Sequence, residues 1–355
     1  MKEFRKNKVR IMTGLMVIAA LSLFGACSNP SGSDSGVTYS VTAADFKSTI
    51  ESIANTPGKY TINLTDDLYN YSGFYLDNAG VSITVNGTGV NNITWKPADV
   101  NPGSLFSVNS GSLILKNIKL GLSSGNLTGQ SLLWISGGTL EISGVTLDNN
   151  GSGDGVGMSG GSFKMSGGTI QNCKSGVIAN NSTGNVSITM TGGLITGNTE
   201  TGIALGSDST SGNVTISGGT ISDNNDGVSS IGENSQITVK GGLITGNTRT
   251  GIVLWADCKN CKLAVGGNAV VSCNGSMGGV TINGIGSQFN KQQGSIIYGT
   301  DGTNANTNYA IMVFNTSWEP LLVRTNDAGK NDILSAELNA AGDTVANSSA
   351  GWGTP

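Results

Sequence analysis

Through the middle of the chain apolar and polar residues alternate in short runs, and each run stops at glycine or asparagine. Val186, Ile188 and Met190 alternate with Ser187 and Thr189, a period of two that places aliphatic groups on one face and hydroxyls on the other. Residues 186–191, 194–196 and 203–205 form one set of three such runs; 214–217, 220–222 and 228–231 form the next. No helical period of 3.6 occurs among them. One helix is predicted near the start, over 43–53, where Phe46, Ile50 and Ile53 share a face.

The sets repeat. Thr191-Gly192-Gly193-Leu194-Ile195-Thr196-Gly197-Asn198 returns as Ser217-Gly218-Gly219-Thr220-Ile221-Ser222-Asp223-Asn224 and again as Lys240-Gly241-Gly242-Leu243-Ile244-Thr245-Gly246-Asn247. An earlier copy, Ser166-Gly167-Gly168-Thr169-Ile170, has Cys173 where Asn is expected, and weaker copies surround Gly144 and Gly267. The second glycines stand at 144, 168, 193, 219, 242 and 267, separated by 24, 25, 26, 23 and 25 residues.

Three strands per repeat at that period describe an all-β chain. The expected fold is a right-handed parallel β-helix, a three-sided solenoid of about ten coils with a short N-terminal capping helix. Right-handedness follows from the strong bias of parallel crossovers. At roughly 4.8 Å per coil the rod would be about 50 Å long. No proline lies between Pro102 and Pro320, as suits strands whose N–H groups all serve a ladder. The paired glycines suit corners that need positive φ or close backbone approach. Asn149, Asn198, Asn224 and Asn247, with a continuation at Asn274, are expected to stack as a structural ladder that satisfies buried turn amides. Irregular coils over 59–120 and a fading repeat after 290 mark the two ends; 296–298, 311–314 and 321–324 are expected to form the last coils and a cap.

Composition agrees with many tight turns: 55 Gly, 6 Pro and 12% charged residues. The formal charge is −4, but Lys2, Arg5, Lys6, Lys8 and Arg10 against Glu3 distort it. Setting those five cations and one anion aside from 19 and 23 leaves 14 against 22, a net −8. With no basic run, nucleic acid is not an expected partner.

The basic start, the apolar run 11–24 and the small residues after it read as an export signal over 1–26. The apolar run is shorter than the ~20 residues a spanning helix needs. Leu23-Phe24-Gly25-Ala26-Cys27 resembles the lipobox of bacterial lipoproteins, with Phe24 where Leu or Val is usual. The resemblance implies cleavage before Cys27 and acylation of that cysteine. Residues 27–37 then read as the acylated cysteine and a flexible tether, 38–315 as N-terminal cap and β-helix, and 316–355 as C-terminal coil and cap.

The Gly-Gly-(Thr/Leu)-Ile-x-x-Asn unit, Gly294-Ser295-Ile296-Ile297-Tyr298-Gly299 and the closing Gly351-Trp352-Gly353 are similar to right-handed β-helix repeat proteins, notably repetitive bacterial surface lipoproteins. The resemblance spans roughly residues 40–353 and is specific for fold, not for chemistry. The repeat also resembles that of polymorphic outer-membrane autotransporters, without a C-terminal barrel.

With no histidine, a Ser-His-Asp triad and His-bearing metal sites are excluded. Lys174, Glu200 and Arg249, each two residues before a glycine, and Asp226, one before Gly227, are expected in a line about 5 Å apart per coil. Glu200, Asp226 and Arg249 are then the catalytic candidates: a carboxylate pair beside an Arg suits calcium and proton abstraction from a uronic acid. The plainer reading is a solvated ladder of mixed charge.

Cys258-Lys259-Asn260-Cys261, with Cys273 following, is compatible with a disulfide, with two buried thiols or with a metal. Trp134 and Trp255 are either sugar platforms or packing groups, and their separation of five coils argues against one shared site.

The sequence reads as a lipid-anchored cell-envelope protein on the outer-membrane surface or the periplasmic face. Its expected role is non-enzymatic surface adhesion or structural interaction, with no cofactor, and an extracellular protein or glycan as partner. The alternatives are a lyase or hydrolase of acidic polysaccharides, which alone would bring in calcium, and a glycan-binding module without turnover.

Overall fold

The computed structural model describes residues 36–95, 103–122, 129–180, 185–272, 274–296, 309–315, 318–324, 334–339 and 344–346. The export segment, Cys27, most of the tether, Cys273, Tyr298 and the closing Gly351-Trp352-Gly353 lie outside the described residues. From Gly36 onward the chain is one compact unit.

The first strand, Val37–Val41, pairs in parallel with Gly58–Leu64, and the helix α1, Ala43–Ala54, lies between them in sequence. Its buried residues are Phe46, Ile50, Ile53 and Ala54, the predicted stripe plus one. Thr42 precedes it and bonds through its hydroxyl to Asp45 at 2.9 Å, while Asp66 accepts the Ala43 amide. Thereafter every coil contributes three strands. Val186–Met190, Leu194–Thr196 and Thr201–Leu205 make up one coil, and each pairs in parallel with its equivalents one coil before and after. Counting the third strands in register, from Phe74 to Ile311, gives ten coils among the described residues.

The interior is a set of stacked like residues. Leu140, Phe163, Ile188, Val214, Ile237, Leu263 and Phe289 form one column, and Leu147, Ile170, Ile195, Ile221, Ile244 and Val271 another, all 1% exposed or less. Each such aliphatic side chain contributes about 1.5–3 kcal/mol by leaving water.

Two kinds of glycine make the coil fit. At the glycine pair, Gly219 has φ +86°, and a Cβ there would stand 2.7 Å from the Gly193 carbonyl oxygen. At the start of the third strand, a Cβ on Gly202 would reach 2.6 Å from the Ile221 Cγ2, inside the core. Both positions exclude any side chain.

The asparagine ladder runs through Asn198, Asn224, Asn247 and Asn274. Asn224 Oδ1 accepts from the amide and the Nδ2 of Asn198 at 3.1 and 2.8 Å, and its own Nδ2 donates to Asn247 Oδ1 at 3.0 Å. Asn247 Nδ2 donates to Asn274 Oδ1 at 2.9 Å. Asn149 is cut off from this ladder, contrary to the expectation from sequence. Cys173 occupies the step between, its amide donating to Asn198 Oδ1 at 3.0 Å. Burial pushes the Cys173 thiol up to about 12, so it stays protonated and accepts poorly. Asn149 turns its Nδ2 to the Asp154 carbonyl, and its buried Oδ1 has no partner.

The far end changes direction. Ile311–Phe314 is still a parallel third strand, but Pro320–Arg324 returns antiparallel to it, and Leu334–Leu338 lies antiparallel on Gln288–Lys291. The sequence pattern marked 321–324 as part of the end region; it gave no sign of the strand at 334–338.

Two substitutions test the ladder. Asn224→Ala strands donors and an acceptor in the core and should cost about 2 kcal/mol or more. Cys173→Asn restores the missing step and should stabilise by about 1 kcal/mol. Urea-unfolding midpoints of the two variants would check both signs.

Candidate functional site

On the third sheet, side chains that alternate with the core column point outward. Tyr75, Ser107, Trp134, Gly157, Ile178 and Ala204 share one outward column in strict register. Trp134 lies against Gly157: a Cβ there would come 2.6 Å from the ring Cε3 and 2.7 Å from Cζ3. A glycine one coil later thus lets the indole lie down on the sheet. Tyr75, two coils earlier, is 53% exposed.

This end of the face is walled by α1. Its apolar stripe is committed to the core, where Phe46 meets Tyr71 edge-on at 5.4 Å, and this brings Glu51, Ala54 and Asn55 beside the sheet. With Gly103-Ser104, Gly129-Gln130, Tyr75, Asp77 and Trp134 they enclose a groove of about 910 Å³. Asp77 Oδ1 accepts from Asn109 Nδ2 at 2.7 Å and from the Ser110 hydroxyl at 3.0 Å, and Asn109 Oδ1 in turn accepts from Ser136 at 2.8 Å. Burial first, and the charge of Glu51 second, raise the Tyr71 phenol above its ordinary value.

The charged turn is built differently from the expected line of four. Backbone bonds place Glu200 after Lys174, and the Asn225 amide, at 2.8 Å, on the Glu200 carbonyl; Arg249 bonds to the Asn225 carbonyl at 2.8 Å. The column is therefore Lys174, Glu200, Asn225, Arg249. Asp226 stands in the next one, in register with Thr201 and Thr250. The single-residue offset of Asp226 from its glycine was the signal for this.

Lys174 and Glu200 pair at 3.4 Å with both side chains about half exposed, a pair worth little. Asp226 is 1% exposed. Arg249 grips it with two bonds, Nε to Oδ1 at 2.7 Å and Nη2 to Oδ2. The same guanidinium lies 4.5 Å from the centre of the Trp255 ring. Trp318 packs on Trp255 at 5.2 Å and on Phe314 at 5.6 Å, so an aromatic cluster adjoins the ion pair while the Arg249 side chain stays 36% exposed. Among the described residues no three His, Cys, Asp or Glu side chains converge on a common point.

The family model described as right handed beta helix region matches residues 107–270. The fold is a right-handed β-helix. No curated protein and no solved structure matches the chain. Within the β-helix the matched segment holds the charged turn and Trp134, whereas Tyr75, α1 and Trp318 fall outside it. Cys258 and Cys261 are fully buried and joined by a disulfide at the corner after Trp255. Trp134 and Trp255 share the third face of the β-helix, at its two ends. Sequence reasoning did not single out Tyr75, Gln130 or Trp318; coil lengths of 32 and 27 residues between Tyr75, Ser107 and Trp134 hide their register.

Asp154 stands in the Asp226 column direction, its Oδ1 accepting the Ser175 amide at 3.1 Å. Burial raises its carboxyl above the ordinary range, while that bond and Lys174 pull it partly back. A raised folded-state value means that protonation favours the fold: the penalty is absent below the unfolded carboxylate range and grows as pH rises through it. Asp154→Asn should therefore raise the melting midpoint at pH ~7 and leave it unchanged near pH ~3. Arg249→Ala should leave Asp226 buried without its counter-charge and cost about 3 kcal/mol, read as a lowered urea midpoint.

Proposed function

We propose that the chain is a lipid-anchored protein of the bacterial cell envelope that uses its β-helix as a non-enzymatic interaction surface. Acylation at Cys27 would hold it to the membrane, and the Ser- and Gly-rich residues after it would act as a leash. The observation that carries the non-enzymatic reading is the state of the catalytic candidates. Asp226 is buried, both of its oxygens are taken by Arg249, and the guanidinium lies against the Trp255 ring. Glu200 is spent on Lys174 at the exposed rim. A proton-abstracting Arg must present itself to substrate, and this one is committed to its neighbour. What the face does offer is a groove with exposed aromatic and polar groups, which suits recognition.

Cys27→Ser should release the protein from the membrane fraction and abolish incorporation of labelled palmitate. The purified full chain, incubated with polygalacturonate or alginate with and without calcium, should release no unsaturated or reducing ends. Turnover that vanishes in Asp226→Asn would overturn the non-enzymatic reading and establish the charged turn as a lyase or hydrolase site.

A further inference from the structure

The groove beside α1 has a chemistry that selects among ligands. Its two aromatic rings, Tyr75 and Trp134, stand in one outward column two coils apart, about 10 Å. Between them is Ser107, whose hydroxyl is bonded to that of Ser104 at 2.6 Å, so no large side chain of this column stands between the rings. Trp134 is held flat by the absent side chain of Gly157. Two flat rings with a shallow interval between them match the apolar faces of sugar rings spaced by a disaccharide repeat, since an aromatic ring offers a wide apolar surface at low entropic cost.

The rim supplies the polar half. Glu51, Asp77 and Gln130 line it, and Asp77 Oδ2 has no bond among the described residues, so it is able to accept from a hydroxyl. Among the described residues no Lys or Arg lines the groove, and an acidic polymer would therefore meet the two carboxylates of Glu51 and Asp77 without a counter-charge from them. The strands of Ser107 and Trp134 are paired on both sides in the parallel ladder, which leaves no place for an added polypeptide strand between the two rings. The volume, about 910 Å³, lies at the upper end of ligand pockets, which run to about 1,000 Å³.

We propose that this groove binds a neutral, extended glycan, with Tyr75 and Trp134 stacked on alternate sugar rings and Glu51, Asp77 and Gln130 accepting from or donating to its hydroxyls. This rests on the reading of the chain as a binding protein without turnover, and names the ligand class of its surface.

The test is calorimetric titration of the detergent-solubilised full chain with cellohexaose, mannohexaose and xylohexaose, and with hexagalacturonate as the acidic counterpart. At least one neutral hexasaccharide should bind and hexagalacturonate should not. Trp134→Ala should weaken binding about tenfold or more, and Gly157→Val, which keeps the indole but pushes it off the sheet, should do the same. Trp255→Ala, at the other end of the face, should leave affinity unchanged. Circular dichroism of each variant separates loss of binding from loss of fold. Preference for hexagalacturonate, indifference to Trp134→Ala, or silence to every neutral sugar would overturn the proposal. None of these outcomes touches the anchoring and turnover measurements above, so the glycan assignment and the wider reading fail separately.

Discussion

In a parallel solenoid each residue sits on its own equivalent, about 4.8 Å away along the axis, and this single constraint governs what every position tolerates. Apolar groups satisfy it by stacking like on like, as the columns of Ile and Val do. A buried polar group satisfies it only if it donates to one neighbour and accepts from the other. Asparagine has both capacities in one side chain, and the four-residue ladder from Asn198 to Asn274 uses them in one direction. The same constraint makes glycine obligatory at the corners, where the backbone of the next coil already fills the space of a Cβ.

That constraint is also why so much of the fold was legible. A rule that applies to every coil writes itself into the sequence many times, so the period, the three strands, the inward residues and the apolar stripe Phe46, Ile50 and Ile53 were all readable. What occurs once was not. Cys173 was visible as a departure at an Asn position, but its effect on Asn149 depends on which atoms face which neighbour. The charged turn was misaligned by one residue because charge was followed in place of the glycine spacing: two residues before Gly227 stands Asn225, the position that the backbone bonds give. The antiparallel strand at 334–338 pairs with a partner far away in sequence and has no repeat to announce it.

The groove belongs with these single occurrences. Its parts come from α1, from corners of unequal length and from three coils, and only the register brings Tyr75 and Trp134 into one column. The two ends of the third face have been put to opposite uses by the same residue types. At one end an aromatic ring lies open beside carboxylates; at the other, Trp255 lies against Arg249, which takes both oxygens of the buried Asp226 carboxylate. Charge and aromatic content alone do not distinguish these, whereas exposure and pairing do.

The reversal of strand direction after Ile311–Phe314 bears on how far such a molecule can extend. A parallel ladder is a template: its last strand offers the same row of donors and acceptors as every strand before it, and another copy running the same way would continue the series. Leu334–Leu338 occupies the place of the next first strand while running backwards. An incoming copy in the parallel sense finds an edge whose bonding pattern belongs to the other kind of sheet. The polymer that coil stacking invites is thereby ended at this face by polarity, with no need for charge or bulk to repel it.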